Sequence, residues 1–481
     1  MTTNISHVIP FVDTPEADRI DRTLRKQIQV GYWPGFIIGM YPSQYAYARI
    51  EPRFQEIWRD VPEINLYLHM PFCKWSCTFC TFFKVVSDNE DLYERYVTRL
   101  CEQLRYYATC FDRPPVIRSI CFGGGTPNAI PASHYTRIFA TLDEIGWIKA
   151  PDLEPSMEMS PEILTEEYLA TVAAAGVKRV SLGLQSLKPE LRRSVRRTGE
   201  LDAHEVFRAL RRQGLNINID LINGLRGQDD DTFMDTLVEV VKLAPETISV
   251  YLLSGMNSSL FRKYPELMTT REKYDLFTEY YDYLGSHGYR CESHVKWVRE
   301  GTTSTHQQKI FEYQGTPTLG VGCGGRSYNE IEHYSMPWHR SVRSSNQLIE
   351  AYITSEDFAS LPWWGFTMTL DENRRRAIIY GFFCGDVDLA HYIARFGTNP
   401  LEDYPAEFAA LVKNGLVVIG DGHVRSTTLG TKYTDLIGST FWSEPVKALF
   451  DPARPEGHPE DVLDSPDANG FSGEIKFRAH H

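Results

Sequence analysis

The chain has no long apolar run. No window approaches the ~18 uninterrupted apolar residues of a membrane span, so none is expected. The stretch Met1–Asp18 holds no basic region followed by an apolar one, so no signal peptide is expected and the cytoplasm is the expected compartment. Positive charge is in deficit, with 50 Lys and Arg against 63 Asp and Glu and a net charge of −13. That balance argues against a nucleic-acid partner, which needs concentrated positive charge, and disfavours a polyanionic substrate more weakly. A disulfide framework is also missing. The nine cysteines are an odd number, scattered at 73, 77, 80, 101, 110, 121, 291, 323 and 384, as suits a reducing compartment.

What is present is a soluble, globular composition, 42% hydrophobic and 23% charged, over 481 residues. That length accommodates one large catalytic domain with one or two smaller ones. Its most informative feature is the run Cys73-x-x-x-Cys77-x-x-Cys80, directly after the apolar strand Ile64–Met70. Three thiolates on one short loop hold three irons of a cubane cluster and leave the fourth open to a small molecule. A zinc site with His69 as fourth ligand competes, but no second C-x-x-C or H-x-x-x-H lies nearby to complete a zinc module. Cys101, Cys110, Cys121, Cys291 and Cys384 read as small buried hydrophobes.

Short apolar runs at 64–70, 117–122, 154–159, 177–184, 215–222 and 247–253 alternate with amphipathic stretches near 89–109, 132–146, 164–175, 202–213 and 229–243. Alternation of this kind predicts an α/β fold, a partial (β/α)6 barrel of parallel strands whose ligands sit beyond the strands' C-terminal ends. Residues 1–60 read as an aromatic-rich segment covering the site, 61–330 as the barrel, and 331–368 as a connector. Residues 369–445 read as a small helical C-terminal domain with a β-wing turning at Gly420-Asp421-Gly422, and 446–481 as a loosely ordered tail.

Polar groups emerge at the strand ends. Gly123-Gly124-Gly125-Thr126-Pro127 lets backbone approach a ligand closely, although a tight strand-to-helix turn uses the same glycines. Glu158, between Met157 and Met159, is costly to bury unless a ligand amine, a sugar hydroxyl or a neighbouring ion pair satisfies it. Gln185 ends an apolar run, and Asp220 suits either ribose hydroxyls or the cap of a helix.

Together these stretches resemble the radical S-adenosylmethionine (SAM) enzymes, and within them the HemN-type group, named for oxygen-independent coproporphyrinogen III dehydrogenase. The resemblance is carried by Tyr67–Cys73, Gly123–Pro127, Met157-Glu158, Ser181–Ser186, Asn218–Leu225 and Gly320–Ser327. It spans about residues 60 to 440 and includes the C-terminal HemN-like domain from Thr369 to Gly430. It implies a 4Fe–4S cluster on Cys73, Cys77 and Cys80. The open iron would chelate SAM, and one electron would cleave it to methionine and a 5′-deoxyadenosyl radical. It also implies two SAM molecules in one site. By motif position Tyr67, Gly124 and Glu158 contact the first. Phe79, Gly125, Thr126, Gln185, Arg197, Asp220, Ser254 and Arg326 fall where the family contacts one or the other.

The chain departs from the dehydrogenase in three places. Thr81-Phe82-Phe83-Lys84 stands where a further cysteine is found, Asn223-Gly224-Leu225-Arg226 replaces a Tyr and Gly-Leu-Pro pattern, and Arg326 replaces a small or apolar residue. The expected reaction is therefore a class C methyl transfer or cyclopropanation, with the second SAM as methylene donor to an sp2 carbon of a small molecule. Coproporphyrinogen oxidation, anaerobic haem opening and a HemW-like haem chaperone are the alternatives. The expected electron donor is a flavodoxin or ferredoxin, and no oligomeric state is implied.

Overall fold

The computed structural model describes residues 14–30, 41–42, 46–80, 82–253, 268–303, 311–337 and 342–448. Ser254, the tail beyond 448 and much of the N-terminal segment lie outside the described residues.

The barrel strands are β1 (Glu63–Met70), β2 (Val116–Gly124), β3 (Ser156–Met159), β4 (Arg179–Gln185), β5 (Asn216–Asn223) and β6 (Thr247–Leu252). Each lies within two residues of its expected position. Adjacent pairs run parallel in the order β1-β2-β3-β4-β5-β6. Between them lie α1 (Glu90–Ala108), α2 (Ser133–Glu144), α3 (Glu166–Ala175), α4 (Ala203–Arg212) and α5 (Asp230–Lys242). Four of these helices begin where a side chain takes up an otherwise orphaned amide: Asn89, Thr165, Asp202 and Asp229 each accept from the backbone three residues on.

The sheet extends beyond the expected six strands. An antiparallel pair, β7 (Tyr289–Ser293) and β8 (Lys296–Arg299), adds to β6. At the other edge β9 (Thr318–Val321) lies parallel to β1. The helix-facing side chains of the central strands, among them Leu66, Leu68, Phe122, Met157, Val180 and Ile217, are fully buried, as parallel strands covered by helices require.

The stretch 331–368, expected as a connector, is built instead of β10 (Glu332–Ser335), the helix Val342–Thr354 and β11 (Trp363–Thr367). These strands pair antiparallel with each other, and β11 also pairs with the short strand Ala48–Ile50. Tyr334 and Trp363 close on Phe54 edge-to-face, so this sheet joins the barrel's core. A second apolar cluster gathers α6 (Leu370–Phe383), α7 (Pro405–Lys413) and the hairpin β12 (Val417–Gly420) and β13 (His423–Ser426). Asp421 and Gly422 both have positive φ, the backbone of a two-residue hairpin turn. Leu24, from the helix Pro15–Val30 in the N-terminal segment, is buried in this cluster. Among the described residues, no helix is long and apolar enough to cross a membrane.

Candidate active site

The period-two alternation of a strand sets which side chains face the barrel lumen. On β1 these are Tyr67 and His69, and the register sets Cys121 and Gly123 of β2 beside them. The same face carries Glu158 beside Ser181, then Asn218 and Asp220, then Ser249. Glu158 is thus two strands from Tyr67, close enough that a Cβ placed on Gly123 would touch both, at 3.1 Å each.

Glu158 receives one hydrogen bond, from the Gly124 amide to Oε2 at 3.3 Å, and has no ion pair with any described residue. The structural ion pair weighed for it is absent among those residues. Its carboxyl is open to the lumen, yet protein crowds it on all sides. That crowding and the charge of Asp220 push its pKa up to about 7. Asp220 is likewise raised to about 6 by burial, against the pull of Asn218 and of the Arg179 cation. It caps no helix: the cap of α5 is Asp229, and Asp220 accepts from Asn218 Nδ2 at 2.7 Å inside the lumen. Thr247 and Ser249 donate to Asn218 Oδ1 at 2.7 and 3.0 Å, and Arg179 donates to Thr247 at 2.6 Å. Nothing in the motif pattern marked Arg179. Only the register reveals it, at the base of β4.

The cysteine loop follows β1. Cys73 is buried, with its sulfur 3.3 Å from the Thr126 hydroxyl, while Cys77 and Cys80 are half-buried. Burial pushes the Cys73 thiol up to about 11, opposed by Thr126, and the nearby Cys80 and Cys77 raise it further. Burial also raises Cys77, against the attraction of the Arg197 cation. The Cys73 and Cys77 thiols so placed stay protonated unless a metal takes their charge. Among the described residues no three Cys, His, Asp or Glu side chains converge on one ion. A cubane needs no such convergence, because each thiolate takes a separate iron. The donor set therefore fits a cluster held by three cysteines. His69 is no fourth ligand: its ring is engaged by the Tyr67 hydroxyl at 3.3 Å and the Phe83 carbonyl at 3.2 Å.

The glycine loop is wedged against the cysteine loop. Gly125 and Thr126 donate amides to the carbonyls of Met70 and Phe72 at 2.8 and 2.7 Å. A Cβ on Gly124, whose φ is +106°, would sit 2.5 Å from the His69 ring, and one on Gly125 would sit 2.6 Å from the Phe72 carbonyl. These glycines serve backbone packing as well as any ligand, a use the motif alone did not separate.

Gln185 ends β4 in the left-handed region, with φ of 66°, a strained conformation for a side chain this large. Arg197 donates to the Gly183 carbonyl beneath it and lies 3.4 Å from Glu162, which Arg192 also binds at 2.7 Å. This buried trio ties the ends of β3 and β4 together next to Cys77. Phe79 packs toward the apolar cluster of Leu191, Val195, Ile222 and Leu225 beyond β4 and β5. Arg326 follows β9 and Gly322-Cys323-Gly324-Gly325, and its charge reaches Tyr67 and His69. A Cβ on Gly183 would lie 2.9 Å from Gln185 Nε2 and 3.4 Å from Arg197 Nη2, so all the expected site residues that are described, save Phe79, are joined by close approach or by charge.

Residues 67–240 match the sequence profile of the radical SAM superfamily. An oxygen-independent coproporphyrinogen III oxidase from Bradyrhizobium diazoefficiens is 31% identical over 407 residues, 80% of this chain and 86% of that protein. An anaerobilin synthase from Escherichia coli O157:H7 is 29% identical over 328 residues, 64% of this chain and 73% of that protein. A solved structure of the coproporphyrinogen III oxidase HemN from Escherichia coli superposes with a TM-score of 0.68 at 23% identity, covering 81% of this chain and 92% of that one.

Proposed function

Because the chain belongs to the HemN-type family of radical SAM enzymes, we propose that its lumen binds SAM at Glu158 and cleaves it reductively to start a radical reaction on a small molecule. The observation that carries this is Glu158, a carboxylate with no cation among the described residues, facing the lumen beside a loop of three clustered thiols. A cluster held there would supply the one electron that cleaves the SAM sulfonium to methionine and a 5′-deoxyadenosyl radical. The protein's residues do the rest. Cys73, Cys77 and Cys80 would hold the irons. Glu158 and the Gly124 backbone receive the ammonium and orient the methionyl end. Asp220 and Gln185 offer hydrogen bonds to ribose. Arg197 keeps the ends of β3 and β4 at the spacing the nucleoside needs. A flavodoxin or ferredoxin supplies the electron.

For the substrate step, methylene transfer from a second SAM to an sp2 carbon is the reading we favour. Lys84 and the residues before it bring no further cysteine, and Arg326 introduces a cation beside Tyr67, where SAM or substrate carries charge. A second reading, oxidation or opening of a tetrapyrrole, is supported by the names of the relatives, of which the chain spans most of the length.

Anaerobic reconstitution with dithionite and methyl-labelled SAM separates these. Deoxyadenosine with label in an unsaturated acceptor supports methylene transfer. Deoxyadenosine without label in any product, together with bleaching of an added porphyrin, supports the tetrapyrrole reading. Absence of deoxyadenosine alongside stoichiometric haem binding leaves a haem carrier and removes both.

A further inference from the structure

Arg376, on α6, is buried where the C-terminal unit meets the end of the barrel. The residue is 9% exposed, its guanidinium carbon lies 4.1 Å from the Tyr380 ring centroid and 5.5 Å from that of Tyr328. Its guanidinium stacks on these phenol rings, and Nε and Nη2 have no hydrogen-bond partner among the described residues. Glu312 is the acidic group whose charge reaches it, and one oxygen of that carboxylate accepts from the Thr318 hydroxyl at 2.6 Å. A guanidinium desolvated to this degree with idle N–H groups is costly unless an anion arrives to pair with it.

The surroundings make a receptor of it. Tyr47 is buried within reach of the charges of Arg326 and Arg376 and beside Tyr328 and Tyr380. His333 stands edge-on to Tyr328, with ring centroids 5.0 Å apart. Neither of its nitrogens has a well-formed hydrogen bond, the backbone of Asn329 lying near without making one. Burial and the Arg376 cation hold that ring neutral. Arg326 lies next to the first barrel strand: Gly320 pairs with Tyr67 in register, and a Cβ on Gly320 would sit 2.4 Å from the Arg326 backbone. Two guanidiniums, phenol rings and a neutral imidazole gathered about Tyr328 suit a carboxylate, which a planar guanidinium grips with paired N–H groups.

We propose that Arg376 receives a carboxylate of the site's second ligand, carried either by the second SAM or by the substrate. The inference rests on the SAM-cleaving reading and places a specificity residue on the C-terminal unit, outside the barrel that carries the motifs.

The test compares anaerobically reconstituted wild type with Arg376→Met, which keeps the length of the side chain between the rings, and Arg376→Lys, which keeps the charge. Iron content and thermal unfolding show whether each variant is folded. The probes are SAM and its decarboxylated analogue, and coproporphyrin III and its tetramethyl ester. If Arg376→Met lowers bound SAM from about two per chain to one while the decarboxylated analogue binds both proteins alike, the carboxylate belongs to the second SAM. If SAM binding is unchanged but coproporphyrin III binds roughly tenfold or more weakly, with the ester unaffected, it belongs to the substrate. Arg376→Lys should fall between in either case, a rescue that a purely structural role does not predict. A folded Arg376→Met that binds SAM and coproporphyrin III as wild type does overturns the inference alone. A wild type that holds iron but binds no SAM overturns the SAM-cleaving reading and this inference with it.

Discussion

The hydroxyl of Tyr67 reaches Nδ1 of His69 at 3.3 Å, two residues along the same face of one strand. On its far side the ring meets the Phe83 carbonyl through Nε2 at 3.2 Å. A carbonyl only accepts, so the network assigns the proton to Nε2 and makes Tyr67 the donor. Burial holds the ring neutral, with its pKa down to about 4. Both glycine-rich segments close on this imidazole: a Cβ on Gly324 would lie 2.9 Å from Nε2, as one on Gly124 would meet the ring from its own side. His69 is the spacer around which strand, cysteine loop and glycine loops are set.

That role separates His69 from the cysteines in one metal analysis. Cys73→Ser, Cys77→Ser and Cys80→Ser should each lose most of the iron and all deoxyadenosine formation. His69→Gln should retain most of its iron. Loss of metal in His69→Gln, with the fold intact by circular dichroism, would make the histidine a ligand after all.

Gly124→Ala should destabilise the protein by about 1–3 kcal/mol, since it adds backbone strain at positive φ to a clash with His69. Denaturant unfolding measures the difference. Gly146→Ala, also at positive φ but with nothing within 4 Å, isolates the backbone part and should cost less.

Glu158→Gln should weaken SAM binding by about 1.5–3 kcal/mol, the worth of a hydrogen bond to a charged group, at unchanged iron content. In wild type the carboxyl is protonated below about 7, and binding an ammonium requires losing that proton. Affinity should therefore fall as pH drops through that value and level off above it. Asp220 adds a lower step near about 6. Titration calorimetry across this range should show only the lower step in Glu158→Gln, and an unaltered upper step would assign it to another group.

Glu162→Ala strands two buried guanidiniums, those of Arg192 and Arg197. Removing the shared carboxylate should cost about 3–5 kcal/mol. Glu162→Gln, which keeps an acceptor oxygen, should cost less. Equal stability of all three proteins by denaturant unfolding would remove the strut between β3 and β4.

The barrel's six strands and five helices were legible because period and composition change abruptly at residues such as Asn89, Thr165 and Asp229, whose side chains cap the helices that follow. The segment 331–368 was not. Its strands β10 and β11 are short, and they earn their place through Phe54, Tyr334 and Trp363, residues far apart in the chain. The helix Pro15–Val30 escaped for the same reason, since its apolar face is completed by the C-terminal unit. Asp220 was open between helix cap and ligand until the register turned it into the lumen.

By itself the sequence determined the cysteine loop, the order of strands and helices and the polar residue at each strand end, because spacing of a few residues is a local property that chain geometry converts directly into a loop, a face or a cap. Only the tertiary structure decided that Glu158 has no cation among the described residues, that His69 is a spacer, and that Arg376 comes to rest beside Tyr328 with idle N–H groups. Those facts depend on which distant segments share a volume, and burial and charge act through space without regard to position along the chain.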